Sequence, residues 1–165
     1  MSEQYPPPAV VGGLTDNASR VRSQRRIALH ALHVLEYALN SPAPRRHRTW
    51  IHRVTVAVDA LKHALDAQLH SHHDDSIDLL AELALSDPSY TIRIQKLRQE
   101  LLDLAVAVAS LREQIEPDPD IDIDPADVRD RLATITRRFR QHQAREADLV
   151  YEATGIKLDD GLEPQ

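Results

Sequence analysis

The sequence predicts an all-α fold, an antiparallel up-down-up-down four-helix bundle. Three observations predict it. The apolar residues are mostly Leu, Ala, Val and Ile, with four glycines and only 4% aromatics, a composition that favours helices. Apolar positions recur every three to four residues in four stretches, with no strand-like alternation. Proline-bearing breaks separate these stretches: SPAPRRH, SDPSY and EPDPDIDIDP, which no helix interior tolerates. A length of 165 residues suits one domain with one core.

Residues 1–14 contain three consecutive prolines and a Gly-Gly pair and read as a flexible N-terminal tail. The bundle is expected over residues 15–154. Thr15 and Asp16 are candidate N-caps of a first helix that runs to about Asn40. A second helix is expected from near Arg48 to about Leu85. In SDPSY, Ser86 or Asp87 serves as N-cap and Pro88 fits the first turn of a third helix, which runs to about Ile115. Asp124 and Pro125 repeat that signal for a fourth helix. It ends near Thr154, where Gly155 fits the position just past a helix C-terminus. Residues 155–165 read as a C-terminal tail.

The chain has no cysteine, which excludes disulfides, thiolate metal sites and cysteine nucleophiles. No signal peptide is visible at the N-terminus. The longest nearly apolar run, LLDLAVAVASL, is too short to span a bilayer and contains Asp103. A cytoplasmic protein without membrane contact is the expectation. Net charge is −6, yet Arg20 to Arg53 holds eight arginines against one acid, Glu36, and Glu113 to Asp130 reverses the balance. The acidic total and the lack of a basic motif with interleaved aromatics argue against nucleic acid as partner.

The stretch QLHSHHDD, Gln68 to Asp75, raises the question of a metal site. Stepping 100° per residue gives the second helix a stripe of Trp50, Val54, Ala57, Val58, Leu61, Ala64, Leu65 and Leu69. Continued, the stripe brings in Gln68, His72, Asp75 and Ser76, then Leu79 and Leu83. Asp66, His70, His73 and Asp74 fall on an outer, solvated face. On the fourth helix Val128, Leu132, Ile135, Phe139, Leu149 and Val150 form the stripe, and His142 and Glu146 lie on it one turn apart. The third helix buries Tyr90, Ile94, Leu97, Leu101, Leu104, Ala105, Val108 and Ile115, with no ligand type. The first is expected to bury Ile27, Ala28, Ala31, Val34, Leu35, Ala38 and Leu39. His30 and Tyr37 lie at the edge of that arc, and His33 points away. An inward His72 and the His142–Glu146 pair form either a metal site or a buried hydrogen-bonded layer, since buried ionisable groups must be ligated or paired.

Over residues 18–154 the pattern resembles the hemerythrin-like (HHE cation-binding) family of non-haem iron proteins, which are up-down four-helix bundles. HHDDSIDLL, from His72 to Leu80, is similar to the second-helix motif, with Ser76 at the ligand glutamate position. HQAREA, from His142, is similar to the fourth-helix motif, with Ala147 in place of a second acid. LRQELLDL, from Leu97 to Leu104, carries Leu101 where the family has histidine, and Ala105 stands one turn on. A second register pairs His70 with Asp74, at the cost of turning His63 and Ala67 inward.

The resemblance implies iron, in a mononuclear or degenerate di-iron site, with His72, His142 and Glu146 as ligands and Asp75 and His30 as additions. It also implies oxygen, nitric oxide or peroxide as the small molecule sensed or handled. The missing third-helix donors favour a second reading: a metal-free interaction or regulatory module whose arginine-rich stretch, Arg20–Arg53, meets an acidic partner. Nothing suggests a hydrolase, since no nucleophile–base pairing or phosphate loop is visible.

Overall fold

The computed structural model describes residues 9–42, 47–73, 78–115 and 123–158. Every element in them is helical, and there is no strand among them. The order is α1 (Ala9–Asn40), α2 (His47–His73), α3 (Leu79–Ser86), a 3₁₀ turn (Pro88–Tyr90), α4 (Thr91–Gln114) and α5 (Pro125–Thr154).

Capping chemistry sets most of the boundaries. Asp124 accepts a hydrogen bond from Ala126 N and starts α5 with Pro125 in the first turn. Gly155 ends the helix at φ 71°, and its N–H donates to Tyr151 O. A residue with a Cβ is strained there, so Gly155→Ala should cost about 1 kcal/mol even though nothing lies within 4 Å of the added methyl. Urea unfolding of that variant measures it. Asp87 caps the 3₁₀ turn by accepting from Ser89 N at 2.8 Å. The hydrogen bonds from the Ser89 backbone and side chain hold the Asp87 carboxyl below its ordinary range.

Three boundaries differ from expectation. Asp87 and Pro88 open the 3₁₀ turn instead of the third long helix, which begins at Thr91. α1 begins at Ala9, so Thr15 and Asp16 lie inside it instead of capping it. The expected long second helix is two helices, because Asp78 starts a new one. Its backbone is extended and its side chain accepts from Leu80 N at 2.9 Å. The other oxygen of the buried carboxylate pairs with Arg98 at 2.5 Å. One side chain thus caps α3 and ties it to α4. Asp78→Ala should cost about 2–3 kcal/mol, the cap and a half-buried ion pair together. Faster amide exchange in α3 than in α5 would show where the loss falls.

Among the long helices, α1 packs on α2 and α5, and α4 also packs on α2 and α5. Side-chain bonds locate the helix ends. Trp50, early in α2, donates to Ala38 O late in α1 at 3.2 Å. Arg129, early in α5, stacks over the Trp50 ring and donates to Leu39 O and Ser41 O. At the opposite end Arg22 of α1 donates twice to Lys157 O, just past α5, and Leu158 is buried there. Arg93 and Glu152 pair at 2.8 Å between the start of α4 and the end of α5. Arg112, late in α4, reaches Asp59 of α2 at 2.6 Å.

The apolar interior is divided. One cluster runs from Ala28, Leu32 and Leu35 through Trp50–Leu65, Leu101–Ile115 and Val128–Phe139. The second gathers Ala18, Leu79, Leu80, Leu83, Ile94, Leu97, Ala147, Leu149, Val150 and Leu158. The apolar stripes expected of α2, α4 and α5 lie inside, with Leu69 and Tyr90 partly buried. α1 is rotated from expectation: Leu32 is fully buried, whereas Ile27 is 58% and Val34 38% exposed.

Candidate functional site

Polar side chains fill the level between the two apolar clusters, and each long helix contributes. α5 presents His142, Gln143 and Glu146, all buried. Residues 139, 142, 143 and 146 share one face because three- and four-residue steps return to it. α1 contributes Arg25, which is buried and sits on the stripe shared by Ala18, Ala28 and Leu32. α2 contributes buried Gln68, and α4 half-buried Glu100.

Arg25 is the hub. Its Nη1 donates to Gln143 O at 2.6 Å and stands 4.0 Å from Glu146 Oε2. Removing two charges from water is costly, and their pairing offsets that cost. His142 Nδ1 lies 3.5 Å from Glu100 Oε2, and its ring is nearly parallel to that of Phe139, with centroids 6.4 Å apart. Glu100 also takes a hydrogen bond from Arg145. It lines a groove of about 370 Å³ with Arg93, Lys96 and Asp148. Glu100 therefore connects buried His142 to the surface. Between α1 and α2, Ser71 Oγ donates to Gln24 Oε1 at 3.2 Å and to Gln68 O at 2.8 Å. Gln68 Oε1 and both side-chain polar atoms of Gln143 have no hydrogen-bond partner among the described residues, and such groups are where buried water enters a core.

The expected ligands fare unequally. His142 and Glu146 are both buried, one turn apart on α5. Gln68 confirms the inward phase of α2 up to that turn. His72 lies in the last turn of α2, with its side chain outside the described residues, and Asp75 lies wholly outside them. His30 is exposed on α1. The register built on His70 fails, because His63, Ala67 and His70 are all exposed; Asp74 is outside the described residues. Asp66 pairs with Lys62 at 2.6 Å, and its carbonyl meets His70 Nδ1, so this face is the wet one.

The described residues alone hold only part of the expected iron ligand set, since the His72 side chain and Asp75 lie outside them. Leu101 is fully buried and Ala105 nearly so, so core atoms fill the third-helix ligand positions. A guanidinium charge 4.0 Å from Glu146 Oε2 opposes a second cation there, and that oxygen has no hydrogen-bond partner among the described residues. Among the described residues no three His, Asp or Glu side chains gather as a metal ion requires. Sequence reasoning missed Arg25, Glu100 and Gln143. Arg25 stands three residues before Ala28 and seven before Leu32, so phasing α1 on Leu32 and Leu35 places it inside.

No family model matches the chain, and neither a curated protein nor a solved structure matches it. No described helix is long and apolar enough to cross a membrane.

Proposed function

We propose that this chain is a metal-free helical interaction module. It is an antiparallel four-helix bundle of hemerythrin-like architecture formed by α1, α2, α4 and α5, with α3 a short addition. The end-to-end contacts of Trp50 with Ala38, Arg22 with Lys157 and Arg93 with Glu152 support that topology. One observation carries the functional reading: Arg25 occupies the level where the resemblance places a metal and pairs with Glu146. Charge that iron would supply is supplied by the chain. Oxygen, nitric oxide or peroxide then have no centre to bind.

Interaction falls to the surface. Arg20 and Arg26 on α1, and Arg48 and Arg53 on α2, are exposed and join no ion pair among the described residues. Arg45 and Arg46 of the same stretch lie outside those residues. An acidic partner suits these exposed arginines. Anisotropy titration with a labelled oligoglutamate tests it. Binding should weaken with salt and fall several-fold in an Arg20→Glu, Arg26→Glu double variant. Binding unaffected by either change contradicts the reading.

A further inference from the structure

α3 stands where α2 gives out. Ser71, near the end of α2, donates to Gln24 of α1, and α2 stops at His73 while α1 runs on toward Ala9. Beyond that level α3 packs on α1 and α4, the two helices that α2 joins along the rest of the bundle. Its Leu79, Leu80 and Leu83 are buried in the second apolar cluster, with Ala18 of α1, Ile94 and Leu97 of α4, and Ala147 and Val150 of α5. α3 thus closes the open side of an apolar trough formed by α1, α4 and α5.

Three buried leucines and an ion pair dock it there. An eight-residue helix is too short to persist in water by itself, so α3 is helical because it is docked. Asp78 ties it to Arg98 of α4 at 2.5 Å, and the Arg98 side chain is 38% exposed. The fit is incomplete. Arg98 Nε and Glu82 Oε2 are buried without hydrogen-bond partners, and Leu85 is 86% exposed. Segments with few buried apolar contacts open at a lower free energy than the whole fold.

We propose that α3 is a displaceable plug, and that the trough beneath it receives a partner helix of the same chemistry: an acidic N-cap followed by Leu-Leu-x-x-Leu. α3 itself defines that occupant. Its leucines show which side chains the trough accepts, and Arg98 supplies the charge that an acidic first turn meets. A partner helix that also gives Arg98 Nε an acceptor makes a bond that α3 does not. The site goes beyond the acidic-partner reading, because it does not use the exposed arginines of α1 and α2. Oligoglutamate binding therefore stands or falls separately.

A trough open only a fraction of the time binds with its affinity reduced by that fraction. Loosening α3 therefore tightens binding by the same factor, up to the point at which the trough is mostly open.

The test is an anisotropy titration of the full chain with a labelled, acetylated peptide of residues 78–87. The same peptide carrying Leu80→Asp and Leu83→Asp is the control, and circular dichroism checks folding. The Asp78→Ala protein, which loses both the cap and the tie to Arg98, should bind the peptide about tenfold or more tighter than wild type. Arg98→Met should also loosen α3 but gain less, because the incoming acid loses its partner too. Amide exchange in wild type should be faster in α3 than in α5. Equal binding by wild type and Asp78→Ala, including none by either, overturns the proposal. So does binding of the control peptide, or exchange in α3 as slow as in α5.

Discussion

Arg25→Met is expected to lower the unfolding free energy by about 3–5 kcal/mol, the cost of leaving a buried carboxylate without its counter-charge. Arg25 and Glu146 are 6% and 4% exposed, respectively, so water cannot replace the lost guanidinium without opening the core. The hydrogen bond to Gln143 O is lost as well. Removing the carboxylate together with the guanidinium reverses the outcome. Arg25→Met with Glu146→Leu leaves apolar side chains continuous with both clusters, and exchanges of this kind are often neutral or stabilising. The double variant should therefore lie within about 1 kcal/mol of wild type. Denaturant curves on the four proteins give the coupling directly. Single effects that simply add in the double variant would mean that Arg25 and Glu146 do not act as a pair.

The second large effect contrasts neighbouring leucines. Leu101→Ala should cost about 3–4 kcal/mol, because Leu101 is fully buried next to the polar layer and its removal leaves a cavity. Leu102→Ala, at a position 46% exposed, should cost under about 1 kcal/mol. The contrast checks that the helix face carrying Leu101 is core, at the position where the resemblance places a ligand histidine. Equal small losses would mean that Leu101 is not packed there.

The legibility of the sequence varied by element. α5 was readable end to end: Asp124 and Pro125 start it, Gly155 stops it, and one apolar stripe runs between them. α4 is readable in its apolar stripe but not in its start: Asp87 and Pro88 open the 3₁₀ turn, and α4 begins at Thr91 after Tyr90, with no side-chain cap. The break between α2 and α3 was not. HHDDSID contains neither glycine nor proline, and the side chain that starts α3 is an aspartate like its neighbours. Carrying the α2 phase through that break left the placement of Asp75 without a basis. α1 misled in a more useful way. It has two apolar faces, one through Leu32 and Leu35 and another through Ile27 and Val34. Periodicity counts apolar residues without knowing which face meets a neighbour, so the phase came out between them. That averaging hid Arg25, the residue that changes the reading of the site. A buried arginine is rare unless paired, and its partner lies more than a hundred residues away.

On the reading proposed above, a protein ion pair, not a metal, closes the buried layer. Anaerobic iron loading, followed by desalting, elemental analysis and absorption spectra before and after air, tests it most directly. The expected result is no stoichiometric iron, no new absorption band, and one unfolding temperature with and without a chelator. Stoichiometric iron with oxygen-sensitive bands, lost in His142→Ala, would contradict it.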